Sequence, residues 1–239
     1  MFSVTHANYR PMTDDTYVHA LTIPIEFGGR TVSITPTAVE TDDGLILVDA
    51  GPEPATDRLE TALADVGFGF DDVERVILTH HDADHAGGLA ALRDHTDVTI
   101  GAHPAEIPHL TGDEMPVKGP DDDRYPPVPV DEELTDGEEF STRAGPLRVV
   151  ETPGHTAGHI SLSLPDERLL LAGDALVADE AESLSGPKPA YTVDEDRAAN
   201  SVASLAELDV EHVICHHGGY APCGSDRIHA IAASLQDGD

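Results

Sequence analysis

The sequence predicts an α/β fold in which two packed β-sheets carry helices on their outer faces. Three observations support this. About a dozen short apolar runs read as strands, the early ones following one another and the later ones alternating with helical spacing. Runs such as Leu45–Val48 and Val73–Leu78 are apolar enough to be buried strands. Several strand ends carry His and Asp, as expected of loops gathered at one edge of a sheet.

Along the chain, Tyr17 to Ile34 alternates apolar and polar residues around Gly28-Gly29 and predicts a hairpin. Thr37–Glu40 continues the sheet, Asp42-Asp43-Gly44 turns, and Leu45–Val48 ends in Asp49-Ala50-Gly51. Pro54 to Val66 has helical spacing at Leu59, Ala62, Leu63 and Val66, closed by Gly67. Val73–Leu78 leads into Thr79–Gly88, with a helix expected through Leu89 and Leu92. Val98–Ile100 is a short strand. The Pro-, Asp- and Gly-rich stretch from Gly112 to Glu133 reads as a long surface excursion, Asp121-Asp122-Asp123 being a solvated run; loops of this length often serve as lids or binding loops. Leu147–Glu151, Ile160–Leu164 and Arg168–Ala172 are strands. Asp194 caps a helix to Leu208, Val210–Ile214 is the last strand, and Ile228–Leu235 is a closing helix.

The 239 residues suffice for one core and one domain spanning 1–239. No apolar run spans a membrane, and Met1–His6 lacks the basic and apolar regions of a secretory signal. The two cysteines, Cys215 and Cys223, could pair but form no disulfide framework, and a reducing cytoplasm is expected. Asp and Glu number 46 against 13 Lys and Arg, a formal charge of −33. Only Lys118 and Lys188 are lysines. Such a surface repels itself in dilute salt and is screened at molar salt, where the Debye length is about 3 Å. The composition resembles that of salt-in halophile proteins. It also disfavours nucleic acid as a partner, since no basic patch is available for phosphates.

The densest stretch is Thr79-His80-His81-Asp82-Ala83-Asp84-His85-Ala86-Gly87-Gly88. Crowded imidazoles and carboxylates call for a cation, and a divalent metal accepts neutral His and ionised Asp together. Three more strand ends carry His155, Asp174 and His217, so four loops predict one shared metal site. Asp49 is either a cap or a partner that orients a metal-bound His. Cys215 reads as structural. His6, His19, His95, His109, His212 and His229 are scattered, while His103 lies near a loop that can approach the site.

With these pieces, from Leu45–Gly51 through Thr79–Gly88, Thr152–Gly158 and Leu169–Asp174 to His217-Gly218, the chain resembles the metallo-β-lactamase-fold hydrolases. The resemblance implies an αββα sandwich of two mixed sheets flanked by helices, with two divalent ions at the sheet edge. Zn(II) is the expected metal. His80, Asp82 and His155 would hold the first ion, Asp84, His85 and His217 the second, and Asp174 would bridge them. His81 is a backup ligand, and His216 competes with His217, which the family pattern favours. The family motif is His-x-His-x-Asp-His, and Asp82 stands where its second His would be. That substitution makes the site more anionic, favours harder ions such as Mn(II) or Fe(II), or leaves the first position weak enough for one metal only.

The resemblance further implies that activated water attacks an acyl carbon, with Asp84 orienting it and carrying its proton. His155-Thr156-Ala157-Gly158-His159-Ile160 is similar to the spelling in glyoxalase II-like thioesterases. Only 22 residues follow His217, which leaves no room for that enzyme's helical glutathione-binding region, so a compact glyoxalase II-like hydrolase is expected. The alternatives are a lactonase and a mononuclear iron persulfide dioxygenase on the same fold. The expected partner is a small-molecule acyl substrate, with no nucleic acid and no membrane, and the protein a monomer or homodimer.

Overall fold

The apolar runs fold into two six-stranded sheets in the computed structural model, which describes residues 17–27, 29–118, 124–179 and 183–237. In chain order the first half contributes β1 (Val18–Ala20), β2 (Ile23–Phe27), β3 (Arg30–Ile34), β4 (Thr37–Glu40), β5 (Leu45–Val48), α1 (Thr56–Asp65), β6 (Val73–Ile77), α2 (Ala83–Ala86), α3 (Leu89–His95), β7 (Thr99–Ala102), α4 (Ile107–Thr111) and β8 (Glu132–Glu133). The second half contributes β9 (Glu139–Thr142), β10 (Gly145–Glu151), β11 (Ile160–Leu164), β12 (Leu169–Gly173), β13 (Val177–Ala178), β14 (Leu184–Ser185), α5 (Glu195–Ala206), β15 (His212–Cys215), β16 (Gly219–Ala221) and α6 (Ser225–Asp237).

One sheet has the order β1-β4-β5-β6-β7-β8 and the other β16-β15-β12-β11-β10-β9. Both are mixed. β5, β6, β7 and β8 run parallel after an antiparallel start, and the β12–β15 pair is the parallel one in the second sheet. Facing side chains fill the space between them: Val39, Ile46, Val48 and Ile77 against Leu147, Val149, Leu162 and Leu171. The outer face of the first sheet is covered by α1 and α3 through Leu59, Leu63, Leu89 and Leu92. That of the second is covered by α5 and α6 through Val202, Leu205, Ile228 and Ile231. β5 is therefore buried on both faces, Leu45 and Leu47 outward and Ile46 and Val48 inward, which is why its sequence is apolar without alternation. Each such side chain contributes roughly 1.5–3 kcal/mol on burial.

The αββα sandwich agrees with the sequence reading, with local corrections. Tyr17–Ile34 is not one hairpin: β1 pairs with β4, while β2 and β3 pair from Ile23↔Ile34 to Phe27↔Arg30. β9, whose exposure alternates Glu-Phe-Ser-Thr, carries too little apolar signal to be read as a strand. The Gly112–Glu133 stretch is not merely a surface excursion, because Tyr125 and Val128 are buried against the first sheet's outer layer. Met1–His6 and Asp121-Asp122-Asp123 lie outside the described residues. Asp194 caps α5 by accepting from Arg197 N at 3.0 Å. Cys215 and Cys223 are not joined in a disulfide, and burial pushes the Cys215 thiol up. No described helix is long and apolar enough to cross a membrane.

Candidate metal centre

The strand ends that carry His and Asp meet where the two sheets abut. Ile160 N donates to Thr79 O at 2.9 Å, and Thr35 N to His216 O at 2.8 Å, so the loops of one sheet are fixed to those of the other. After β6 the chain reaches Thr79 and His80, then turns into the single-turn α2. Asp82 is its N-terminal boundary residue but spends no side-chain bond on capping, which leaves its carboxylate for the site. Ala83–Ala86 then delivers Asp84 and His85.

Behind His85 stands Asp49. It adopts φ 61°, a left-handed backbone that Asp tolerates better than most residues. Its carboxylate accepts from Thr79 N (2.9 Å), from Thr79 Oγ1 and from His85 Nδ1 (2.8 Å). Burial alone would raise this carboxyl, but His85, followed by His216 and His80, holds it down at about 2. Of the two roles open to Asp49, the structure assigns the orienting one: His85 Nδ1 is spent, and Nε2 points at Asp174 Oδ1, 3.3 Å away.

The second sheet supplies His155 after β10, Asp174 after β12 and His217 after β15. Gly154 (φ 138°) lets the His155 loop press on α5, where a Cβ would lie 2.2 Å from Ala198 N. Gly218 (φ 89°) allows the turn after His217, where a Cβ would lie 1.9 Å from Ala178 O. His159 is buried, accepts from Asp174 N at 3.0 Å and bonds Thr152 Oγ1 at 2.8 Å, so it fixes the base of Asp174. Burial and then His80 push its imidazolium well down, leaving a neutral ring.

Two ligand-like sets result. His80, His155 and Asp174 present donor atoms within 4.8 Å of one another, as do Asp84, His85 and His217. Asp174 Oδ2 stands 3.4 Å from both His155 Nε2 and His217 Nε2, between the sets. Asp82 Oδ2 is 3.1 Å from His80 Nε2 and from His155 Nε2. In a third grouping, Asp49 with His85 and His216, the Asp49 carboxylate and His85 Nδ1 are engaged with each other, and His216 Nε2 donates to Asp84 O at 3.0 Å. His80 Nε2, His85 Nε2, Asp82 Oδ1 and Asp174 Oδ1 are buried without hydrogen-bond partners. Buried polar atoms are rarely left so, and imidazole with carboxylate is a donor set suited to a divalent ion. The residues fit a metal.

All seven sequence-predicted ligands, His80, Asp82, Asp84, His85, His155, Asp174 and His217, converge. His81 does not: its ring turns away to the buried carboxylate of Glu106, and its backbone N donates to the same group at 3.0 Å. His103 reaches towards Glu151 at 3.4 Å and stays outside the cluster.

Three residues escaped the sequence reading. Glu106 also accepts from Thr156 Oγ1 (2.9 Å) and Gly158 N (2.7 Å), and so ties the His80–His85 loop to the His155 loop. Burial would raise its carboxyl, but His81, then His80 and Thr156, hold it at about 2. Tyr125 donates its hydroxyl to His81 O at 2.5 Å. Lys118 sends its ammonium to Asp82 Oδ2 (2.5 Å), His155 Nε2 (2.7 Å) and Tyr191 O (2.9 Å). Glu106 and Tyr125 give no local signal; Lys118 does, as one of two lysines in an arginine-preferring chain.

The family model of the metallo-beta-lactamase superfamily matches residues 29–217. The probable metallo-hydrolase YflN of Bacillus subtilis is 32% identical over 200 residues, covering 72% of this chain and 75% of that protein. A hydroxyacylglutathione hydrolase of Ruegeria pomeroyi is 31% identical over 169 residues, 71% of this chain but 55% of its own length. The chain thus spans about half the length of the hydroxyacylglutathione hydrolases it matches. A solved metallo-beta-lactamase family protein of Thermus thermophilus superposes with a TM-score of 0.72 at 26% identity, covering 93% of this chain and 79% of that one. A metallo-beta-lactamase variant of Cronobacter sakazakii shares the fold at a TM-score of 0.71 and 21% identity, covering 93% and 92%. Motif, fold and kinship agree, and the chain belongs to the metallo-beta-lactamase superfamily as one of its metal-binding hydrolases.

Proposed function

We propose that this protein hydrolyses an acyl bond, a thioester first and an ester or lactone next, in a small-molecule substrate. The observation that carries the reading is the pair of imidazole–carboxylate sets joined at Asp174, with orphaned donor atoms aimed inward. Asp84, His85 and His217 would hold one ion; His80, Asp82, His155 and Asp174 offer a second position. Zn(II) suits the imidazoles, and the extra carboxylate brings Mn(II) or Fe(II) into competition. When bound, a divalent ion there supplies Lewis-acid activation of water and of the substrate carbonyl.

The chain's own residues do the rest. The Asp84 side chain is 35% exposed, against 10% for Asp174 and 14% for Asp82, so it is the carboxylate open to the mouth. It would orient the attacking water, accept its proton and deliver that proton to the leaving group. Its hydrogen-bonding distance of 3.1 Å from His217 Nε2 fixes its direction. Exposed Val117, Tyr191 and Val193 flank the mouth: Val117 N bonds His81, Tyr191 O accepts from Lys118 and Val193 N bonds His155 O. An apolar acyl chain would pack on them. The kinship with hydroxyacylglutathione hydrolases supports the thioester. We take the protein to act as a monomer or homodimer in a cytoplasm of high salt, for which the charge of −33 is the support.

The test is chelation and reloading of the purified protein in concentrated KCl, assayed against hydroxyacyl-glutathione, aliphatic thioesters, lactones and phosphodiesters, with an oxygen electrode alongside. Metal-dependent hydrolysis of a thioester or lactone is expected. Turnover of phosphodiesters alone, or oxygen uptake without hydrolysis, would contradict the reading.

A further inference from the structure

We propose that Lys118 occupies the cation position of the first donor set, so that the chain holds one resident divalent ion, at Asp84, His85 and His217, and carries its other positive charge as a tethered ammonium. The inference rests on the metal-dependent reading above and adds which half of the site takes the ion.

The geometry is that of a saturated ammonium. Three N–H donors meet three acceptors: Asp82 Oδ2 at 2.5 Å, His155 Nε2 at 2.7 Å and Tyr191 O at 2.9 Å. To accept from an ammonium, His155 Nε2 must offer its lone pair. A metal ion held by His155 Nε2 would need that same lone pair, so the two cations exclude each other at this atom. Within this set Lys118 leaves His80 Nε2 and Asp82 Oδ1 unpaired. In the other set no lysine or arginine intervenes among the described residues: His85 Nε2 and the adjoining Asp174 Oδ1 are both orphaned and 3.3 Å apart.

Charge supports the same division. Asp82, Asp84 and Asp174 bring three negative charges, which one ammonium and one divalent ion balance. Two divalent ions together with Lys118 would leave two positive charges in excess before any anion bound. Asp82, the residue that departs from the family motif, and Lys118, a rare residue in this chain, therefore form one device. The carboxylate that replaces an imidazole is the partner that draws the ammonium in.

The protein is stripped with chelator, titrated with Zn(II) and Mn(II), and its bound ions counted by elemental analysis after gel filtration. One equivalent is expected for the wild type and two for Lys118→Met. Two equivalents in the wild type, or one in a folded Lys118→Met protein, would overturn the proposal. No ion bound by either would overturn the metal-dependent reading and this inference with it. A second measurement needs no substitution: selectively 13C-lysine-labelled protein gives two Cε–Hε signals, from Lys118 and Lys188. The Lys118 signal is expected to keep its immobilised, shifted position through the first equivalent of metal. Its conversion to a free-lysine signal at that point would show displacement by the ion and refute the assignment.

Discussion

The two halves of the metal centre are built from the same residue types and differ in what stands behind and beside them. His85 is backed by Asp49, which is itself pinned by Thr79, and its free nitrogen faces Asp84, Asp174 and His217. Among the described residues His155 has no carboxylate behind it: its Nδ1 is orphaned, and its Nε2 is already shared with Lys118 and Asp82. One half is preorganised for an external cation, and the other is closed by a cation belonging to the chain. A ligand motif alone therefore does not specify a site. The partners that orient the ligands, and the charges that compete for them, decide what binds.

The largest expected effect falls on the proton-carrying carboxylate. Asp84→Asn should lower kcat by about 10²- to 10⁴-fold, the usual range for a general acid–base group, while Asp82→Asn costs less; steady-state kinetics of the folded variants compare them, and equal losses would erase the difference between the halves. Next comes the support of His85. Asp49→Asn should weaken metal affinity by about 10- to 100-fold, measured by competition with a chromophoric chelator, with little change in secondary structure.

Glu106→Gln probes the tie between the two ligand loops. The wild-type carboxyl is held at about 2 against an ordinary 4.5. A depressed carboxyl stabilises the fold fully above its unfolded value, and that contribution fades as pH falls from about 4.5 towards 2. Denaturant titrations should show the variant less stable by at most about 3.5 kcal/mol at neutral pH, taking about 1.4 kcal/mol per unit, with the gap narrowing in that acid window. A gap independent of pH would assign the loss to packing alone. The smallest local effect, spread over the whole surface, is that of salt. At a charge of −33 the melting temperature should rise between 0.1 M and 3 M KCl as the Debye length contracts from about 10 Å, and an unchanged value would refute the halophile reading.

Much of this was legible beforehand because it is written in local pattern. Continuous apolar runs such as Leu45–Val48 and Leu169–Ala172 mark strands covered on both faces, and the His and Asp residues that follow such runs mark one sheet edge. Sequence pattern favours His217 over His216 as a candidate ligand, and the structure turns His216 under His85 in a ring stack with centroids 3.7 Å apart. What local pattern could not carry was long-range pairing. Glu106 sits 25 residues from His81 and 50 from Thr156, and Lys118 reaches 37 residues ahead to His155. Nothing in the periodicity around Glu106 or Lys118 announces a partner, and the Gly112–Glu133 stretch, polar and proline-rich, reads as solvent-facing although it delivers the ammonium.

The most direct test of the unequal halves is anomalous diffraction from crystals soaked with one equivalent of Zn(II) or Mn(II). A single peak among Asp84, His85 and His217, with Lys118 still on Asp82 and His155, is the predicted result. A peak between His80 and His155, with the lysine turned out to solvent, would contradict it.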